Sequence, residues 1–220
     1  MINKQKNMNT KLKIALSLAF TAVAFSASAQ KTYTEGVVTI SMDMMGQSIE
    51  AKNYFSTDST AIVFAAGPAN IKVLTNNKGT YMAYLVDVPV ASIKKAAIAT
   101  PAEVEEELGK LPALTFVKTT ETKIINGFNC KKVTVTDTKT NKTYDFWVTN
   151  DVSLPSTPMS KVYEKAGGVP IQYYSFRDGQ SSQVTVKSIV AEKAPAGTFA
   201  VPSNYDRITM DELNAMRGGK

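Results

Sequence analysis

Apolar side chains recur at every second position through most of this chain, and a period of two belongs to a half-buried β-strand rather than to a helix. In VVTISMDMM, residues 37–45, Val38, Ile40, Met42 and Met44 share one face, with Val37, Thr39, Ser41 and Asp43 on the other. Gly46 interrupts the run, and QSIEAKNYF, residues 47–55, resumes it with Ile49, Ala51 and Phe55 opposed to Glu50, Lys52 and Tyr54. The pair predicts a hairpin. Further apolar runs at AIVF (61–64), IKVLT (71–75) and YMAYLVD (81–87) are separated by GPAN and NNKG, which predicts successive antiparallel strands. Beyond Leu111 the period returns in ALTFVKTTETKII, FNCKKVTVTD, KTYDFWVTN, IQYYSFRD and SSQVTVKSIVAEKA. Asn126-Gly127 suits a type I′ turn between the first two.

Two stretches break the alternation. PVASIKKAAIA, residues 89–99, is alanine-rich, carries Val90, Ile93 and Ala97 at helical spacing, and predicts a short helix. TPAEVEEELGKL, residues 100–111, predicts a second, with Thr100 as N-cap, Pro101 at the first helical position, Glu103 completing a capping box and Gly109 as the stop. The acids Glu103, Glu105, Glu106 and Glu107 read as a solvated face favoured by the helix dipole rather than as a cation site. Thr209 and Glu212 form another capping box, which opens a short helix over 209–217.

A sheet of about nine to eleven strands with two or three short helices cannot have both faces covered, so it must close on itself or curl around those helices. The expected fold is mainly β, a single domain over residues 30–220 built as one curled antiparallel sheet. It is an open or half barrel with short helices near 89–110 and 209–217.

Residues 1–29 read differently. Lys4, Lys6, Lys11 and Lys13 precede an uncharged apolar run from Ile14 to Phe25, which ends in Ala27-Ser28-Ala29. That order describes a secretory signal peptide cleaved before Gln30, since the run is too short for a membrane span. The expectation is a periplasmic or secreted protein with no transmembrane segment after cleavage. Four of the 25 Lys and Arg residues and none of the 19 Asp and Glu residues lie in the leader, leaving 21 cations against 19 anions. With the remaining cations dispersed, a nucleic-acid partner is not expected.

The chain has no histidine, which removes Ser-His-Asp and Cys-His catalysis together with His-based metal sites. The acids Asp43, Asp58, Asp87, Asp137, Asp145 and Asp151 sit mostly at strand ends and turns. No glycine-rich phosphate loop is present. A non-enzymatic protein without metal or cofactor is therefore expected. Asp58-Ser59-Thr60 resembles a short O-glycosylation triplet of some Gram-negative exported proteins.

The apolar side chains carry more information. Met42, Met44, Phe55, Phe64, Tyr81, Met82, Tyr84, Trp147, Tyr173 and Phe176 are candidate ligand-binding residues, because a curled sheet with helices in its mouth can leave an adaptable, Met-lined cavity suited to acyl chains. The competing reading is that the same side chains are simply core.

Three stretches in order carry a resemblance. Asn126-Gly127-Phe128-x-Cys130-Lys131-Lys132, then the aromatic-Trp147-Val148 strand with Asn150-Asp151 after it, then Phe199-x-Val201-Pro202-x-x-Tyr205 resemble the exported bacterial family catalogued as domain of unknown function 4412. The resemblance covers mainly residues 114–205. That family has no assigned activity. It implies an architecture similar to the outer-membrane lipoprotein carriers and their relatives, incomplete antiparallel barrels with helices over the opening that bind lipid tails. No carrier motif is found here, so no residue role transfers.

Two functions follow as expectations. One is binding of a lipid or other apolar ligand inside the curl. The other is a non-enzymatic cell-envelope interaction or structural component, in contact with another envelope protein and with a self-filled core. Cys130, the lone cysteine, is expected beside Phe128 as a small buried apolar residue. Val133 and Val135 have the opposite parity, so either the strand bulges near Lys131-Lys132 or both of its faces are covered.

Overall fold

The computed structural model describes residues 30–44, 46–177 and 179–216, so the predicted leader lies outside the described residues. A short strand β1 (Lys31–Thr32) precedes a meander of β2 (Gly36–Met44), β3 (Gln47–Phe55), β4 (Ser59–Ala66), β5 (Ala69–Asn76), β6 (Met82–Val88) and β7 (Ile93–Ile98). Helix α1 (Pro101–Gly109) leads to a second meander of β8 (Leu114–Ile125), β9 (Phe128–Asp137), β10 (Thr143–Thr149), β12 (Val169–Arg177) and β13 (Gln180–Val190). The two-residue β11 (Val152–Ser153) and the one-turn helix α2 (Pro158–Lys161) interrupt it, while β14 (Asp206–Ile208) and α3 (Met210–Met216) follow.

Twelve of these strands form one sheet, in the order β14-β7-β6-β5-β4-β3-β2-β13-β12-β10-β9-β8. Pairing of β13 with β2 joins the two meanders. The fold is thus mainly β, dominated by one curled antiparallel sheet that does not close into a barrel, with β1 and β11 forming a separate two-stranded sheet. Two pairings depart from the antiparallel expectation, because β14 runs parallel to β7 and β1 parallel to β11.

The curl follows from the connection between β7 and β8. Those strands stand ten strand spacings apart, roughly 48 Å if the sheet were flat. The chain between them is one nine-residue helix and a few extended residues, which reach roughly 37 Å at most. A flat sheet would leave the connection too short. Pro158 of α2 and Leu108 of α1 meet over Gly79 in the β5–β6 turn, where a Cβ would lie 2.9 Å from the Pro158 ring. The connection between β10 and β12 therefore packs against the far end of the first meander.

Register places Asn53, Ile62, Val73, Tyr84 and Ala97 in line on one face of β3 to β7, and Tyr54, Ala61, Leu74 and Ala83 on the other. Helices α1 and α3 cover the first face with Val104, Met210 and Leu213 against Met82, Tyr84 and Ala97. A strap of residues 191–205 covers the second, setting Phe199, Val201 and Tyr205 against Ala61, Leu74, Ala83, Leu85 and Ala96.

That double cover corrects one expectation. The helix expected at 89–99 is a 3₁₀ turn, Pro89–Ala91, followed by strand β7. Ala96 faces the strap and Ala97 the helices, so both parities are apolar and small, and the strand loses its period of two. Val90 lies in solvent and is no part of an apolar stripe. The helices at 101–109 and 210–216 form where expected, each with its capping box closed: Thr100 Oγ1 accepts from Glu103 N at 3.3 Å, and Thr209 Oγ1 from Glu212 N at 3.1 Å.

Candidate functional site

The ten candidate ligand residues do not converge. Phe55 is buried in one cluster with Ile40, Val184 and Ile189, and Met42, Phe64, Trp147 and Tyr173 pack half-buried against it. Met82 and Tyr84 belong to the cluster under α1 and α3. Tyr81 lies on the opposite face, against the strap cluster. Phe176 joins a fourth cluster built on Val133, Val135, Phe146 and Val148, which Tyr173 also touches. Met44 ends β2, and its side chain is outside the described residues.

The fourth cluster is aromatic. Tyr144 packs on Tyr174 at 4.8 Å and on Phe176 at 5.3 Å between ring centroids, and Phe146 meets Tyr163 at 5.6 Å and Tyr173 at 6.1 Å. The Tyr163 hydroxyl donates to the Tyr174 carbonyl at 3.1 Å. These rings fill the gap where β10 and β12 part, since only Trp147, Val148 and Thr149 pair across it. Tyr144, Phe146, Tyr163 and Tyr174 were not among the candidates, and the signal that could have found them is the aromatic density of β10 and β12.

The hollow among Met82, Val104, Leu108, Pro158 and Met159 measures about 10 Å³, at the lower limit for one water. A wider depression of about 400 Å³ lies at the surface along Lys193 to Ala200 beside Glu35, and none of the ten candidates lines it.

The titratable groups are tied into structure. Cys130 is 1% exposed, its thiol donates to the Phe128 carbonyl at 3.4 Å, and burial pushes its pKa up to about 11. That is the wrong direction for a nucleophile, which needs the thiolate. β9 carries no bulge opposite β10, so of the two readings of its parity the second holds: Cys130 faces the first cluster and Val133 and Val135 the fourth. The Asp137 carboxylate accepts from Lys139 N and the Thr140 hydroxyl, both at 2.9 Å, and those bonds hold its pKa below the usual carboxylate range. Among the described residues, no three Asp, Glu or Cys side chains are grouped to hold a metal ion. No described helix is long and apolar enough to cross a membrane.

The sheet ends unequally. At one end β14 offers three residues and leads directly into α3. At the other, β8 is a twelve-residue strand hydrogen-bonded on one side, to β9, and among the described residues nothing follows it in the sheet. Val117 and Ile124, 63% and 73% exposed, project from its two faces. β8 also carries Thr119, Thr120 and Glu121 opposite the single residue Lys132, a bulge between the Lys118–Val133 and Thr122–Lys131 pairs. Lys132 lies within 3.2 Å of Glu121 and 3.0 Å of Asp145, which hold its pKa up.

A family profile described as "Domain of unknown function (DUF4412)" matches residues 15–205. The chain belongs to this family. A comparison with curated proteins finds no match. Among solved structures the chain is similar to "Structure of PNGF-II in C2 space group", at 19% identity and a TM-score of 0.48, over 83% of this chain and 32% of that one. It is also similar to an uncharacterized conserved protein from Thermus thermophilus, at 8% identity and a TM-score of 0.49, over 80% of this chain and 90% of that one. The chain spans about a third of the length of the first. At these scores the likenesses transfer no function.

The residues that carry the DUF4412 pattern hold the fold. Asn126 and Gly127 both have positive φ, as the type I′ turn demands, and Asn126 Nδ2 reaches the Val186 carbonyl at 2.7 Å. Asp151 accepts from Asn129 N at 2.6 Å and so ties the β8–β9 hairpin to the turn after β10. Trp147 lies under Lys123, whose Nζ is 4.0 Å from the ring centroid. Phe199, Val201 and Tyr205 are the strap's anchors. The pattern thus reports packing, and it leaves the open edge as the feature of the surface still to be explained.

Proposed function

We propose that this DUF4412 domain is an exported, non-enzymatic envelope component that works by contact, with the β8 edge as its contact surface. The single observation that carries this is the contrast between an interior divided into four packed clusters and a long strand that no described residue pairs on one side. Unpaired edge N–H and C=O groups form a template for another strand, and native sheets usually shorten or cover such edges. Export follows from the leader pattern in residues 1–29.

A photoreactive side chain placed at Val117 tests the reading in intact cells, with Glu50, exposed on β3, as the control position. Discrete protein adducts at 117 and none at 50 are expected. Identical patterns at both positions would overturn it. N-terminal sequencing of the exported protein should begin at Gln30, and a chain that keeps residues 1–29 and stays in the cytoplasm would remove the envelope from the proposal.

A second reading is apolar ligand binding. It draws on Met42, Phe64, Trp147 and Tyr173, which are partly buried at the margin of the first cluster, where an acyl chain would lie along the surface of the curl. Native mass spectrometry of gently purified protein, together with titration of a fluorescent fatty acid, decides it. A ligand-free protein that leaves the probe unbound excludes this reading.

A further inference from the structure

The bulge in β8 restricts what can pair with its open side. A strand adding there meets a regular ladder at 114–118, three crowded residues at 119–121, and a regular ladder again at 122–125. An ordinary strand would lose its register on crossing the bulge. A second β8 running antiparallel can cross it with the irregularity shared, but only when the two bulges lie opposite each other. We infer that a second copy of this chain pairs with β8 about a two-fold axis through Thr120. The inference deepens the reading of the β8 edge as a contact surface and rests on it.

An axis through Thr120 sets every other partner. Phe116 faces Ile124 of the partner subunit, and Val117 faces Lys123 of the partner subunit. Each pair shares a face, because Lys118 and Thr122 on either side of the bulge pair with Val133 and Lys131, which have the same parity on β9. The exposed Ile124 thereby gains an aromatic ring, and the exposed Val117 gains the methylene stem of a lysine. Like charges do not meet, since Lys118 faces Thr122 and Glu121 faces Thr119 of the partner subunit. The contact is isologous and closes at two copies, because the opposite end of the sheet offers only the three residues of β14 before α3 begins.

The test uses the purified protein at several concentrations, with mass measured by light scattering on elution. A dimer is expected. Val117→Lys sets lysine against Lys123 twice and should weaken the dimer about tenfold or more, whereas Val117→Glu sets opposite charges there and should preserve it. Thr120→Cys lies on the axis and should form an intermolecular disulfide on mild oxidation, with the native Cys130 too buried to compete. Thr115→Cys, ten residues from its own copy in this register, should remain monomeric under the same oxidation. Unchanged far-ultraviolet circular dichroism separates these effects from misfolding, since a weaker dimer by itself lowers the melting temperature. A monomer at every concentration, an equal response to Lys and Glu at 117, or equal cross-linking at 115 and 120 overturns the pairing. If the photoreactive side chain at Val117 then captures a different protein, the edge remains a contact surface with another occupant. If it captures nothing, both readings fail.

Discussion

The two meanders are made of the same element and solve different problems. From β2 to β7 five successive pairings run without a break in register. At its β6–β7 end both faces are covered, by helices on one side and the strap on the other, and alanines at 61, 83, 96 and 97 let the cover approach closely. From β8 to β13 every irregularity of the sheet among the described residues appears: the bulge at Thr119–Glu121, an extra residue at Ile171 in β12, and another at Lys187 in β13. Bulges bend strands and increase their twist, so this half supplies the curvature, and bulky aromatic rings fill the gap that curvature opens. One half is regular in register and thinly covered; the other is bulged and filled.

The largest expected effect falls in the bent half. Phe146 is fully buried among Tyr163, Tyr173, Val133 and Val135, and Phe146→Ala should cost about 3–5 kcal/mol, measured by urea unfolding. A loss below about 1 kcal/mol would mean that the aromatic filling is dispensable and the contrast false. At the joint between the halves, Gly36 lies against the Val190 carbonyl and 2.9 Å from the Phe55 ring as measured from an added Cβ, so Gly36→Ala should cost about 3 kcal/mol. In the regular half the sign reverses from filling to crowding. Ala83→Leu should destabilise by about 1–3 kcal/mol, because the site under the strap has no spare volume. A neutral or stabilising outcome would show that the strap yields.

Two smaller effects sharpen the comparison. Thr100→Ala removes the cap of α1 and should cost about 1 kcal/mol. Cys130 gives the pH signature. Its folded pKa of about 11 lies above the ordinary 9.0, so the folded state binds the thiol proton more tightly than the unfolded state does. The resulting stability is complete below pH 9 and fades as pH rises towards 11, by about 1 kcal/mol at pH 10. Unfolding midpoints of the wild type and Cys130→Val should therefore converge or cross over that window. Parallel curves would place the thiol in water, as would rapid thiol labelling of the native protein.

Strands were legible in the sequence wherever one face meets water. β2, β3, β10, β12 and β13 show their period, and Asn126-Gly127 shows its turn. β7 was not legible, because Ala96 and Ala97 are both buried and a doubly covered strand of small residues has the composition of a helix. The three residues of β14 and the four of α2 are too short to show any period. Apolar faces such as Met42, Phe55 and Tyr84 were legible as candidates for burial. Their division among four clusters was not, because it depends on where the sheet bends, and Ile171 or Lys187 becomes an extra residue only when set against its neighbour. The open edge of β8 was hidden for the same reason, since edge position is a property of strand order.

The seam between β2 and β13 also sets the timing of assembly. Its partners are separated by most of the chain, as the bond from the Tyr33 hydroxyl to the Ile189 carbonyl shows across 156 positions. Each meander can form from neighbouring segments, whereas the seam must wait for loop closure over the whole domain, a slow step in proteins of high contact order. Until β13 has been made, β2 is itself an open edge in a sheet that already exposes apolar rows. The first long strand to be synthesised is completed by one of the last, and the interval between them is when this chain most needs protection from its own copies.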